Sequence, residues 1–415
     1  MDSFEIIKQF GIIKQDDCSM FDVRSRQGEG NDYDVKWKWN ANQQDMIIHI
    51  PENKSIFIKK EQGITSIEYK ITKLFVETLK DLTRKSEYFL DYKNLFEYEL
   101  VSCIIKYILG EIRTSNYIFL DIIELLEKWS SETYESKNIC FSVGFDMSID
   151  QSSEVNLLSI KDDDMLKVLT NGINTMIVCN QCADVIDIIN MEDGENKNEN
   201  FYPISFYRVA QWTCQKKRFA FVLTQQGEIL IFYNGSLVFA KRRGNWKLIY
   251  PKPLQHLLMK TQLCKNEVKK SVMDTCLDVS FRRTGACIGI IPKDEGIPIC
   301  VLQESQLKTS EEPRVKALRY LIQGKKFHEI NRFIRQELAA IDGAIVIDGN
   351  GDIHAIGAIL DNSSCQSRSG AGGRKVAAQT LAISGCGIKV SSDGEIEAWG
   401  TDTADPHFKF LFKMA

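Results

Sequence analysis

Asp342, Gly343 and Ala344 stand where a helix-like segment gives way to an apolar, strand-like run. A glycine lets the backbone approach a ligand closely, and a carboxylate beside it can hold a divalent metal or accept a hydroxyl proton. An aspartate before a glycine is also typical of a turn. The tripeptide therefore indicates a ligand site, with a simple turn as the alternative interpretation.

A second group, residues 369–375, reads Ser-Gly-Ala-Gly-Gly-Arg-Lys and leads into a predicted helix. The first-turn amides of a helix have no partner within the helix, and the helix dipole favours anions there. Arg374 can bind phosphate oxygens through two donors, and Lys375 adds a point charge. The spacing is neither that of a Walker P-loop nor that of a dinucleotide fingerprint. The segment predicts phosphate binding, with a solvated surface loop as the alternative.

The order of three motifs carries a family resemblance. Arg283-Thr284-Gly285-Ala286 comes first, then the Asp-Gly-Ala tripeptide, and then the Gly-x-Arg loop that ends at Arg374. In this order, residues 275–400 resemble the diadenylate cyclase domain, the nucleotide-binding module of the DNA-integrity scanning protein and its relatives. The resemblance is to a divergent, sensor-type member, and it implies a nucleotide-binding α/β domain.

Diadenylate cyclase domains condense two ATP molecules into cyclic di-AMP with a divalent metal, and two domains face each other in a dimer. The resemblance therefore implies Mg²⁺ or Mn²⁺ as cofactor, ATP or a related nucleotide as partner, and a homo-oligomer formed through the C-terminal domain. It makes Asp342 and Arg374 the catalytic residues, with Asp342 also the metal ligand. The nucleotide-binding residues that it implies are Thr284, Gly285, Gly343, Ala344, Leu360, Gly372, Gly373, Arg374, Lys375 and Ser391.

Two segments depart from the family pattern. Where the family reads Gly-Thr-Arg-His-Arg, residues 372–376 read Gly-Gly-Arg-Lys-Val, and residues 391–393 read Ser-Ser-Asp where the family has Ser-Glu-Glu. A charged hydrogen bond contributes about 1.5–3 kcal/mol, so losing two or three would lower a rate by several powers of ten. Lys375, Arg368 and Lys389 are candidate replacements for the missing cations. Two hypotheses follow: an active cyclase, and a sensor that binds ATP or a signalling nucleotide without turnover.

The elements around these motifs predict a mixed-sheet α/β domain over residues 265–402. Apolar spacing predicts a helix before Arg283, a strand over 286–291 and a helical region over 313–340 that breaks near Gly324. Hairpins are predicted over 344–359 and 388–399. A short helix over 374–383 lies between them, and Gly385 is expected to end it. Residues 403–415 are interpreted as a C-terminal tail.

The preceding chain divides into two predicted regions. Over residues 136–264, short β-rich runs separated by Gln226-Gly227 and Asn234-Gly235 turns predict an antiparallel β-rich domain. Residues 1–135 predict a mixed, largely helical region, with one strand over 32–39. Its helical apolar spacing falls at Phe75, Leu79, Leu82, Leu100, Ile104, Ile108, Phe119, Ile122 and Leu126.

Composition limits the classes of partner. The formal net charge of -4 argues against a dedicated nucleic-acid-binding protein, which is usually basic. No run approaches the about 18 apolar residues of a membrane span, and the first residues lack the pattern of a secretory signal. We expect a cytoplasmic protein without membrane or nucleic-acid partners. Cys179 and Cys182 form the only Cys-x-x-Cys pair among the twelve cysteines, and without a second pair it predicts reduced cysteines rather than zinc.

Overall fold

The computed structural model describes residues 117–191, 201–249, 264–292, 296–361, 372–402 and 405–414, with three strands before residue 60 and Lys70, Lys73 and Leu74. The chain divides into two units. The first comprises Met1–Phe201 and Phe206–Ile249, and the second comprises Tyr202–Ser205 and Tyr250–Ala415. Among the described residues, no helix combines the length and the apolar character that crossing a membrane requires.

The first unit begins with a small antiparallel sheet of β1 (Lys36–Asn40), β2 (Asp45–Ile50) and β3 (Lys54–Lys59). The predicted strand over 32–39 overlaps β1. The helical spacing predicted from Phe75 to Ile108 falls outside the described residues.

A larger sheet follows in the order β12-β11-β10-β9-β6-β7-β8. Its strands are β6 (Phe141–Asp146), β7 (Thr175–Cys179), β8 (Val185–Asn190), β9 (Arg218–Leu223), β10 (Ile229–Tyr233), β11 (Ser236–Arg242) and β12 (Asn245–Leu248), with a short β4–β5 hairpin (Thr133–Tyr134, Lys137–Asn138) before them. Helix α1 (Tyr117–Trp129) contributes Phe119, whose ring lies 5.0 Å from Phe145 and 5.1 Å from Phe219. Helix α1 therefore packs into the core of this sheet.

One strand pair departs from the predicted antiparallel arrangement. β6 and β7 are parallel, with Val143 opposite Ile177. A parallel pair needs a crossover connection, and the segment between these strands contains 3₁₀ turns at Leu157–Ile160 and Asp164–Val168. Local apolar runs predict that strands exist but do not specify the direction in which they pair. Helix α2 (Tyr207–Trp212) precedes β9.

The second unit is a mixed α/β domain, which confirms the predicted fold class. Its sheet has the order β15-β14-β13-β16-β17-β18. The strands are β13 (Ala286–Ile291), β14 (Ala344–Asp348), β15 (Ile353–Ala358), β16 (Cys386–Val390), β17 (Ile396–Asp402) and β18 (Asp405–Met414), and the helices are α3 (Asn266–Arg282), α4 (Pro313–Ile322), α5 (Arg332–Ala340) and α6 (Gly373–Ala382). Only β13 and β14 pair in parallel among these described strands. The predicted helical region breaks as expected, because Gln323 and Gly324 both have positive φ.

Each face of this sheet packs against its own helices. Ile288 and Ile290 join an apolar cluster with α3, α4 and α5, whereas Cys287 and Ile291 join a cluster with α6. Residues that alternate along β13 thus pack on opposite faces of the sheet, and α6 lies on one of these faces.

A buried ion pair joins α3 to α5. Arg332 Nε donates to Asp278 Oδ2 at 2.6 Å and Nη2 donates to Asp278 Oδ1 at 2.9 Å. The amide of Ile204 also donates to Asp278 Oδ1, at 2.9 Å. Burial raises the pKa of Asp278 to about 6, and the contacts with Arg332 act in the opposite direction. The pair therefore holds two helices and the Tyr202–Ser205 segment in the same unit.

Two local predictions differ from the structure. Residues 405–414, interpreted as part of a tail, form β18, which pairs with β17 and extends the sheet beyond residue 402. The alternation Phe-Lys-Phe-Leu-Phe-Lys there is typical of a strand. Gly385 does not end α6 in a left-handed conformation, because that helix ends at Ala382 with Ile383 still right-handed. Glycine is required at 385 because a Cβ there would collide with the carbonyl oxygen of Ile290.

Candidate functional site

The sequence motifs lie at one end of the central strands of the second unit, where β13 and β14 begin and β16 ends. This end of the sheet is called the sheet edge below. β13 and β14 run parallel with Ile288 opposite Ile345, so Gly285 and Asp342, which precede these strands, both lie at the end of the sheet where the two strands begin. On the other side, Ala286 lies opposite Val390 in antiparallel β16, which places Ser391 beside Gly285. Three segments distant in sequence thus share one edge.

Arg374 joins helix α6 to this edge. Its Nη1 atom lies 2.6 Å from the position that a Cβ of Gly285 would occupy, and its Nη2 atom donates to the carbonyl oxygen of Thr284 at 3.5 Å. Gly285 has φ +75°, a conformation that favours glycine. Ala378 of α6 lies directly against Gly387 of β16. This close packing seats the first turn of the helix beside the strand edge.

Asp342 is exposed, and its neighbour Gly343 has a structural role. The Asp342 carboxylate accepts a hydrogen bond from the Gly343 amide at 3.1 Å, and its carbonyl oxygen accepts one from Arg314 at 3.4 Å. Gly343 has φ +106°, and a Cβ there would lie 2.6 Å from the carbonyl oxygen of Gly357. Close approach to β15 therefore requires glycine at 343, whether or not a ligand binds.

Two hydroxyls at this edge are candidates for ligand contact. Within the described residues, Thr284 Oγ1 and Ser391 Oγ are buried atoms without a hydrogen-bond partner. Leaving a buried polar group unsatisfied costs about 1–3 kcal/mol. The backbone of Ser391 closes the following hairpin, since its amide bonds Glu395 and its carbonyl accepts from Gly394. A ligand that bonds the two hydroxyls would remove their desolvation penalty.

Two other predicted contact residues belong to the core. Ala344 and Leu360 lie with Cys287 and Trp399 in the apolar cluster beneath α6, where Ala344 is fully buried and Leu360 is 8% exposed. Their side chains support the floor on which α6 rests. Gly372 caps α6 and has no side chain to occupy the first-turn amides, while residues 369–371 and Arg368 fall outside the described residues.

Further cations lie on the α6 face. Lys375 Nζ is 5.9 Å from the centroid of the Trp399 ring, a cation–π distance. Lys389 Nζ donates to Glu397 Oε2 at 2.6 Å across the β16–β17 pair. Glu397 belongs to none of the sequence motifs described above. The turn after Ser391 is the signal that could have identified it, because the strand register that follows from this turn places Glu397 opposite Lys389.

The donor set suits a metal held partly by a ligand. Among the described residues, no group of three or more His, Cys, Asp or Glu side chains could hold a metal ion. Mg²⁺ usually keeps several waters and binds one or two carboxylates together with substrate phosphates. The exposed carboxylate of Asp342 fits this arrangement, which requires a phosphate ligand at the same edge.

Comparisons with known proteins give distant likenesses. No family model matches the chain, and no curated protein matches it. A hypothetical membrane spanning protein from Bacillus cereus is 15% identical over 34% of this chain and 62% of that chain, with a TM-score of 0.25. A double mutant of DacA from Staphylococcus aureus is 19% identical over 39% of this chain and 89% of that chain, with a TM-score of 0.23. This chain thus spans 62% of the first of these structures, and both TM-scores are too low to define its function.

Proposed function

We propose that the second unit binds the phosphates of ATP or a related nucleotide at the sheet edge formed by Gly285, Asp342 and Ser391. The seating of Arg374 on Gly285 carries this proposal, because it brings a cation from a helix start to the strand that lies beside Asp342. Two unsatisfied hydroxyls flank the same point. Together these groups form an anion site with donors of more than one kind.

Each group has a distinct role in binding. The Arg374 guanidinium offers two parallel donors to phosphate oxygens, and the first turn of α6 contributes backbone amides and a favourable dipole. Thr284 and Ser391 supply hydroxyl donors. A bound Mg²⁺ or Mn²⁺ would neutralise phosphate charge, and Asp342 would hold it. A homodimer formed through the C-terminal domains belongs to the cyclase candidate described below, because cyclisation needs a second nucleotide opposite the first.

Binding without turnover is the function that the site supports best. Residues 372–376 retain one arginine, and Lys375 lies over Trp399 rather than beside Gly285. Binding needs only favourable contacts, whereas catalysis requires contacts that strengthen in the transition state. The loss of the second arginine therefore weakens turnover more than binding.

A diadenylate cyclase is the second candidate, favoured by the exposed carboxylate of Asp342, which precedes the strand that pairs in parallel with β13. In that reaction Asp342 accepts the proton of a 3′-hydroxyl. The 3′-oxygen then bonds to the α-phosphorus of the facing ATP, and the bond to pyrophosphate breaks. Two such displacements close the ring. Positioning and charge neutralisation supply most of the acceleration in chemistry of this kind.

Calorimetry on the full chain tests the proposed binding. We expect ATP with Mg²⁺ to bind the wild type, and Arg374→Met to weaken the affinity by about 10-fold or more, as the loss of a charged hydrogen bond implies. Arg282→Met is the matched control, because Arg282 pairs with Glu337 on the surface of α3. Equal affinities in wild type and Arg374→Met would overturn the proposal. Incubation with ATP and Mg²⁺ or Mn²⁺, followed by chromatography for cyclic di-AMP, separates the cyclase from the sensor.

A further inference from the structure

The Lys389–Glu397 pair lies on the same sheet face as helix α6. Register places Lys389 directly opposite Cys287 on β13 and directly opposite Glu397 on β17. Cys287 belongs to the apolar cluster beneath α6, so side chains in this row point toward that helix. Burial raises the pKa of Cys287 to about 12, and the charge of Arg374 acts on the same thiol in the opposite direction. Cys287 therefore lies opposite Lys389 in register and within the electrostatic influence of Arg374.

We propose that Lys389 is a second phosphate-binding cation of the candidate site, oriented by Glu397, and that the ligand is a nucleoside di- or triphosphate. This inference rests on the proposed function, since it extends the same site along the strand. Glu397 is a positioning residue in this account, because it contacts Lys389 and not the ligand.

The ion pair leaves the ammonium able to bind a second acceptor. Lysine carries three N–H donors, and the Lys389 contact with Glu397 Oε2 uses one of them. The Lys389 side chain is 17% exposed and that of Glu397 is 7% exposed, so the glutamate side chain is buried and the lysine keeps the larger exposed fraction of the two. The carboxylate thus fixes the lysine rotamer and compensates part of its charge.

The backbone positions of the two cations suggest the ligand class. Arg374 contacts Gly285, and Lys389 lies on the neighbouring strand opposite Cys287, so their anchor points differ by two residues along the strand direction, or about 7 Å of backbone. A single phosphate bound at Arg374 would leave Lys389 without a ligand contact. A chain of two or three phosphates that starts at Arg374 would extend toward Lys389. The site should therefore distinguish ATP and ADP from AMP, and from cyclic dinucleotides whose phosphates are single diesters.

A cross-strand ion pair with only a structural role is the competing explanation, because such pairs stabilise sheets directly. Lys389→Met alone would leave the buried carboxylate of Glu397 unpaired and destabilise the fold. The test variant is therefore Lys389→Met combined with Glu397→Gln, which removes both charges. The control is Lys316→Met with Glu311→Gln, which removes a pair at 2.5 Å whose lysine lies on α4.

The experiment measures affinities of the full chain for ATP, AMP and inorganic tripolyphosphate by calorimetry. We expect the Lys389/Glu397 variant to lose about 10-fold or more in affinity for ATP and tripolyphosphate, with AMP affinity unchanged and Lys389→Arg close to wild type. Unchanged ATP affinity in a folded variant would overturn this inference while leaving the role of Arg374 intact. Equal losses for AMP and ATP would also overturn it. A wild type that binds no ATP would overturn the proposed function and this inference together.

Discussion

The guanidinium of Arg374 occupies the space where a side chain on Gly285 would begin, with Nη1 only 2.6 Å from the position of that absent Cβ. Residues from two motifs therefore form a single surface. Any side chain at 285 must displace the arginine, and any displacement of the arginine must alter the proposed phosphate site.

Replacing Gly285 with alanine should reduce nucleotide affinity. The added Cβ would strain a residue at φ +75° and push Arg374 away from Thr284. We expect a loss in unfolding free energy of about 1 kcal/mol and weaker ATP binding, measured by denaturant titration and calorimetry. Gly296→Ala is the control, because a Cβ at 296 meets no atom within 4 Å. Unaltered ATP affinity in Gly285→Ala would contradict the seating of Arg374.

Gly343→Ala should destabilise the fold more than an ordinary glycine replacement. Its Cβ would meet the backbone of Gly357 and Ala358, and its φ is +106°. Gly324→Ala isolates the conformational part of the cost, since Gly324 has φ +71° and open space around its Cβ position. We expect Gly324→Ala to cost about 1 kcal/mol and Gly343→Ala to cost clearly more, by chemical denaturation. Equal costs would show that β15 moves aside freely.

Removing Arg332 should unfold the second unit readily. Asp278 would remain buried without its bidentate partner, and breaking a buried ion pair costs about 3–5 kcal/mol. We expect Arg332→Met to lower the unfolding free energy by that amount. Combining it with Asp278→Asn should recover part of the loss, because the Asp278 charge is then removed as well, although Asp274, whose Oδ2 atom lies 3.9 Å from Arg332 Nη1, keeps a buried carboxylate. A double variant less stable than Arg332→Met would argue against this explanation.

The pH dependence of the first unit should involve Asp146. Burial raises the pKa of this carboxyl, but hydrogen bonds from Ser148 and Arg218 outweigh burial and hold the pKa below its usual 3.8. Arg218 Nε lies 2.6 Å from Asp146 Oδ2. A carboxyl whose folded pKa is depressed contributes stability above the unfolded pKa and loses it as pH falls through the folded pKa.

Asp146→Asn should therefore be less stable than wild type at pH 7. The difference in unfolding free energy should shrink as pH falls below 3.8, because both proteins then carry a neutral side chain at 146. Thermal denaturation at several pH values measures this difference. A stability difference that stays constant down to the acid transition would contradict this prediction. It would indicate that the negative charge of Asp146 does not contribute to stability through its contact with Arg218.

Local patterns were sufficient to predict most elements of the second unit. Apolar spacing and turn residues gave β13, β14 and the break at Gly324, because these depend on neighbours in sequence. Local patterns do not specify which strands pair or in which direction they run. The parallel pairing of β6 with β7 depends on a long crossover, and the pairing of β18 with β17 depends on an edge that exists only after the sheet forms.

The candidate site was also predictable only in part, because its residues could be recognised from the sequence but their arrangement could not. Asp342 and Arg374 were recognisable from residue type and order, but their placement at the same end of the sheet depends on parallel register and on the packing of Ala378 against Gly387. The sequence did not indicate the structural role of Gly343 either, because glycine is required there by the close approach of β15. Glu397 could be identified as the partner of Lys389 only from the register of the hairpin that follows Ser391.

The central claim is that Arg374 and Asp342 act on one nucleotide. A crystal structure of the full chain with Mg²⁺ and a non-hydrolysable ATP analogue tests it most directly. We predict phosphate oxygens within hydrogen-bond distance of the Arg374 guanidinium and of the Thr284 or Ser391 hydroxyl, with Asp342 reaching the same ligand through the metal. A nucleotide bound elsewhere, with Arg374 still resting on Gly285 and contacting no phosphate, would contradict it.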